Sequence, residues 1–158
     1  MENSQKDRLR TYAWNYFVYH AEQRINAFNL YLIIVAVLIG GFGTVIVKTK
    51  EEYLRWLSIF GFVLLIISVT FALLDKRSKE LVRNGEAALK YLDELEELPD
   101  DGSCPHILKI FSRDDYVSSN KSLYSISRAY VSYSSVFRII FLLFGLLGFA
   151  TSVFCLMN

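Results

Sequence analysis

Three stretches of the chain carry no charge: Ala27 to Val47, Trp56 to Leu74 and Ile139 to Met157, of 21, 19 and 19 residues. As helices rising about 1.5 Å per residue, each reaches roughly 28–32 Å, the thickness of a bilayer's hydrocarbon core. A core helix of a soluble protein is usually shorter and keeps a polar stripe, because only part of its surface meets the core. Here Ile33-Ile34-Val35-Ala36-Val37-Leu38-Ile39 and Phe62-Val63-Leu64-Leu65-Ile66-Ile67 are apolar on every side. The pattern predicts three transmembrane helices. The first run begins after 26 mostly polar residues, which predicts an uncleaved anchor rather than a signal peptide.

Between the apolar runs the spacing stays helical. Leu81, Val82, Ala88, Leu89, Leu92 and Leu95 recur at steps of three, four and seven, so the second span is expected to continue as a helix until Pro99-Asp100-Asp101-Gly102. Glu86 and Lys90 stand four apart in the favourable order. Gly85 weakens the helix by about 1 kcal/mol without breaking it. The acidic residues Asp93, Glu94, Glu96 and Glu97 oppose the helix dipole, so this end is expected to fray. A short segment with Ile107, Leu108, Ile110 and Phe111 follows. Ser118 or Ser119 then caps a helix running through Leu123, Ile126, Tyr130, Tyr133 and Phe137 into the third span. From about Lys6 the N-terminal tail runs helically into the first span.

These three extensions have matching lengths of about 21, 24 and 20 residues, or roughly 30–36 Å, which favours a bundle beside the membrane. An amphipathic helix lying among the headgroups is the alternative for the tail. The expected fold class is therefore all-α: an integral membrane protein with three transmembrane helices extended into a cytoplasmic helical bundle. It forms one domain, divided as an N-terminal helix 1–26, spans 27–47, 56–74 and 139–157, an external loop 48–55 and a cytoplasmic region 75–138.

Lysine and arginine near the span ends set orientation. With the N-terminus inside, the tail and the segment from Asp75 to Arg138 hold 14 basic residues against 3 (Lys48, Lys50, Arg55) outside. The expected location is the bacterial inner membrane, N-terminus cytoplasmic. Hydrophobic residues are 53% of the chain, charged residues 21%, and net charge is +1, so bulk charge implies no direct nucleic-acid binding. Cys104 lies in a loop and Cys155 inside the last span, on opposite sides in this topology, so no disulfide or metal site is expected.

The spans contain no Asp, Glu, Lys, Arg or His. Transport and intramembrane catalysis usually need such groups at mid-membrane, so neither is expected. With no nucleophile motif, phosphate loop or metal cluster, the chain reads as a non-enzyme without a cofactor. Phe17, His20 and Arg24 share one helix face near the membrane surface and are candidates for a gating neck; a plain packing role for His20 stands beside that. His106 reads as an exposed loop residue. The serines between Ser118 and Ser135 read as small residues for close helix approach. Tyr124, Arg128 and Tyr130 are candidates to meet a nucleotide-like or peptide ligand or a partner, since Tyr and Arg dominate recognition surfaces. Gly40, Gly41 and Gly43 in the first span, and Gly145, Gly148 and Ser152 in the third, offer small faces for packing within a chain or between copies. Three helices enclose little lumen, so a pore would need several chains.

The segment Trp14-x-Tyr16-Phe17-x-x-His20-Ala21-x-x-Arg24-x-x-x-Phe28-Asn29, just ahead of the first span, resembles small bacterial membrane effectors of phage-defence systems, the retron-associated and SLATT-type proteins. The resemblance covers about 16 residues plus the layout; the third span and the segment between spans two and three depart from the two-span pattern. It implies a membrane-disrupting or pore-forming effector of abortive infection. Its implied partners are the lipid bilayer, further copies of itself, and a cytoplasmic protein or nucleotide-derived signal that switches it. The alternative is a non-toxic membrane scaffold that recruits a soluble enzyme.

Overall fold

A computed structural model of the chain describes residues 3–48, 53–96, 98, 102–119 and 133–157. Four helices follow one another: α1 (Asn3–Lys48), α2 (Tyr53–Glu94), α3 (Ile110–Ser119) and α4 (Tyr133–Met157). The described residues contain no strand. α1 holds no proline, and its polar first half enters the first apolar run without a break. α2 does the reverse, leaving its apolar run through Asp75 and on to Glu94. α1, α2 and α4 are each long and apolar enough to cross a membrane.

The described residues fall into two compact units, one within Met1–Glu22 and Lys79–Tyr130, the other within Gln23–Ser78 and Val131–Asn158. The second unit holds the three apolar runs. Its core is Tyr31, Val35, Leu64, Phe137 and Phe141, with Phe28, Ile67, Phe71 and Phe144 packed around it. Little else in the spans is covered: 11%, 17% and 28% of their most apolar windows are buried within the chain. Leu30, Ile33 and Val37 of α1, Phe62 and Leu73 of α2, and Leu146 and Phe154 of α4 all point outward. An apolar exterior around an aromatic interior is the arrangement expected where lipid is the solvent.

The first unit is a small bundle of α1, α2 and α3. Ala13, Leu89 and Leu92 are buried, and Phe17 and Phe111 close over them, their rings 5.3 Å apart edge to face. Gly85 has a positive role here, because a Cβ at that position would stand 3.0 Å from the Phe17 backbone. The helix-propensity cost of that glycine is the condition for close contact with α1.

Two expectations need correction. The acidic end of α2 stops at Glu94, ahead of Pro99, and it is held by cations from α1. Lys6 Nζ donates to the Leu95 carbonyl at 2.9 Å, and Arg10 reaches Asp93 at 2.6 Å and Glu96 at 2.9 Å. α2 has no basic residue in its last turn, so a neighbouring helix supplies the charge that its dipole requires. The second correction concerns Ser118 and Ser119, which are the last residues of a helix, α3, that the sequence did not suggest. Tertiary contact decides this: Phe111 is drawn onto Phe17, and Asp115 forms an ion pair with Lys90, which had been expected to pair along its own helix with Glu86. Leu123, Ile126 and Tyr130, expected in a helix capped by those serines, lie outside the described residues. His106 is half-buried and accepts a hydrogen bond at Nδ1 from the Leu108 N–H.

Candidate functional site

The antiparallel run of α1 and α2 puts the last charge before the first apolar run beside the first charge after the second. Arg24 Nε donates to one Asp75 carboxylate oxygen at 2.7 Å, and a second guanidinium nitrogen donates to the other at 3.2 Å. That same nitrogen donates to Ser134 Oγ of α4 at 3.1 Å. The guanidinium also lies 5.2 Å from the Phe137 ring centre. Both charged side chains are largely covered, with 13% and 15% of their surface exposed. A bidentate pair with a third donor contact and an aromatic face satisfies an arginine in a dry setting better than a lysine could be satisfied.

Deeper in the unit, Phe28 stacks on Phe137 at 3.8 Å and 9°. Next comes Tyr31, fully buried and ringed by Phe71, Phe141 and Phe144. Its hydroxyl shares a hydrogen bond of 2.9 Å with the buried Ser68. Each polar atom in this interior therefore has a partner, as an apolar medium demands. Tyr31→Phe removes one side of that bond and strands the serine hydroxyl. We expect a loss of about 1 kcal/mol, read as a lower melting temperature in detergent. Tyr31→Phe/Ser68→Ala should melt closer to the parent than the single variant does.

Further along, α2 and α4 meet backbone to backbone. A Cβ on Gly148 would lie 2.6 Å from the Gly61 carbonyl oxygen, and one on Gly61 would lie 2.6 Å from that of Gly148. Ser152 Oγ donates to the Ser58 carbonyl at 3.1 Å across the same seam. Gly145 faces Ser68. The three small residues singled out in the third span thus lie against α2 of the same chain. Gly40, Gly41 and Gly43 do not: a Cβ on any of them would meet no described atom within 4 Å.

The candidate neck residues divide between the units. Phe17 and His20 belong to the first, where His20 sits edge-on to Tyr16 at 4.4 Å and Tyr19 at 5.2 Å. Arg24 belongs to the second. Tyr124, Arg128 and Tyr130 lie outside the described residues. Asp75, Tyr31, Ser68 and Gly61 were not singled out from the sequence. Asp75 was discoverable, since it mirrors Arg24 about the short connection between two antiparallel spans. Gly61 and Ser68 stand seven apart on one helix face, a quieter signal.

The sequence model of the octameric membrane protein family (8xMP) matches residues 8–157. CD-NTase-associated protein 19 of Escherichia coli is 31% identical over 154 residues, covering 96% of this chain and 93% of that protein. No solved structure matches.

Proposed function

The chain belongs to the octameric membrane protein family, and on that footing we propose that eight copies surround a pathway through the bilayer. The pathway opens during antiviral defence and drains the ion gradients of the infected cell. The observation that carries this reading is the closed interior of the single chain. Phe28, Tyr31, Phe71, Phe137 and Phe141 fill the space between the three spans, so ions must pass between chains. Gly40, Gly41 and Gly43 give α1 a face with room for a neighbouring copy.

The relative's name, which records association with a CD-NTase, supports a phage-defence setting and not the retron-associated or SLATT-type kinds in particular. In our reading the effector is not itself an enzyme. The trigger in our reading is a nucleotide-derived signal or a protein partner reaching the extramembrane unit, with Tyr124, Arg128 and Tyr130 among its contacts. Phe17, His20 and Arg24 pass the change to the spans. The same name favours a second reading, a harmless scaffold that recruits the CD-NTase to the membrane.

Purified protein in liposomes decides between them. Triggered release of an entrapped ion from octameric particles supports the pathway, and Gly41→Leu should lower both the release and the share of octamer. Intact octamers that never release ions, and whose expression leaves membrane potential and growth untouched, leave only the scaffold.

Orientation has its own test. We place the N-terminus in the cytoplasm of a cell whose inner membrane holds the protein. Cys104 is exposed and Cys155 buried, so a membrane-impermeant maleimide should leave intact spheroplasts unlabelled. It should label one thiol per chain after lysis. Labelling before lysis would invert the topology.

A further inference from the structure

Eight identical chains in one bilayer share an orientation, because each follows the same distribution of basic residues. Two-fold axes in the membrane plane would turn half of them upside down, so the copies are related only by rotation about the membrane normal. A closed ring of this kind has heterologous contacts: every neighbour pair joins two different faces of the chain. The extramembrane unit presents two such faces.

Residues 9, 12, 13 and 16 of α1 fall on one side of that helix, and 84, 88 and 91 on one side of α2, by the helical repeat of about 3.6. Together they form an apolar groove of about 400 Å³. Tyr12 and Tyr91 flank it, 69% and 62% exposed. The opposite side of the same helix pair carries a second open hollow of about 400 Å³, lined by Arg10, Trp14, Leu89 and Asp93 with Leu108, Ile110 and Phe111 at its edge. There Leu108 and Ile110 project with 63% and 64% of their surface uncovered, and Trp14 is half exposed. These residues belong to a unit outside the three apolar runs, so lipid does not account for apolar surface on both its sides.

We infer that Leu108 and Ile110 of one copy seat in the groove flanked by Tyr12 and Tyr91 of the next, forming a head-to-tail ring contact in the extramembrane unit. The occupant is a second copy of this chain: a closed ring of like-oriented copies requires two unlike faces on each, and this unit presents both. Aromatic walls around an aliphatic ridge are the composition of well-packed interface centres. The inference rests on the octameric reading above and adds to it which surfaces touch.

Cysteine cross-linking tests it in the full chain, in a Cys104→Ala/Cys155→Ala background whose octameric mass is checked first. Leu108→Cys combined with Tyr12→Cys, treated in membranes with a short bis-maleimide, should give a ladder reaching eight chains. Tyr91→Cys serves as the groove partner if Tyr12→Cys weakens assembly. Each single variant should stay at one chain, and the two singles expressed together should stop at two. Self-linking by Leu108→Cys alone would mean a two-fold contact and overturn the proposal. So would an octameric double variant that remains at one chain, which places the contact elsewhere while leaving the octamer intact. A parent that is not octameric sinks both this contact and the reading it rests on, and the mass measurement tells that case apart.

Discussion

Arg24→Met should cost the protein about 3–5 kcal/mol, because it leaves the Asp75 carboxylate covered and without its cation. Detergent-solubilised protein should show this as a large drop in melting temperature. Asp75→Leu should do the same from the other side, stranding a guanidinium against Phe137. The double variant Arg24→Met/Asp75→Leu should recover most of the loss, since two apolar side chains of similar bulk need no mutual charge to be stable there. The size of that recovery separates the worth of the pair from the penalty of breaking it. Should Arg24→Met unfold at the temperature of the parent, the pair is not what fastens α1, α2 and α4 at this level.

Gly148→Ile should be more damaging still. The Cβ alone would stand 2.6 Å from a backbone oxygen and 2.9 Å from the Leu65 nitrogen. Neither atom is the tip of a flexible side chain. The α2–α4 seam must open by more than an ångström, and with it goes the Ser152 contact to Ser58. Even Gly148→Ala should lose about 1–3 kcal/mol, the usual range for overpacking. Ser152→Ala, which removes only a hydroxyl, should lose about 1 kcal/mol. That order, isoleucine worse than alanine and alanine worse than the serine change, is the discriminating readout in thermal unfolding. Equal melting of Gly148→Ile and parent would mean that the seam is not closed.

The spans were legible because lipid imposes a rule with no local exceptions: about 20 residues without charge. The helical extension of α1 was legible for a related reason, the lack of any breaker between Lys6 and Ala27. Partners across space were harder. Arg24 could be named from its place at the end of a span, yet Asp75 emerges only when α1 and α2 are laid side by side. The end of α2 reads as unstable by itself because its own last turn is acidic. Lys6 and Arg10, which neutralise it, lie more than 80 residues earlier, beyond the reach of any local pattern. α3 was not foreseen, because the contacts of Phe111 and Asp115 that hold it are made with Phe17 and Lys90 on other helices. Small residues do not say by themselves what they pack against: Gly145, Gly148 and Ser152 lie against Gly61, Ser58 and Ser68, while a Cβ on Gly40, Gly41 or Gly43 would meet no described atom within 4 Å.

The contacts of Lys6 and Arg10 also say something about synthesis. The ribosome must add 83 residues after Arg10 before its partner Asp93 exists. Through that interval, which includes the threading of two apolar segments into the bilayer, the first two dozen residues have a helix but nothing to lean on. Tyr12, Trp14 and Phe17 of the nascent chain are then free to rest on the membrane surface, and the arrival of α2 peels them away. Nascent chains halted near residue 80 should therefore hold this segment against lipid, and chains long enough for Asp93 and Glu96 to have cleared the ribosome should have released it.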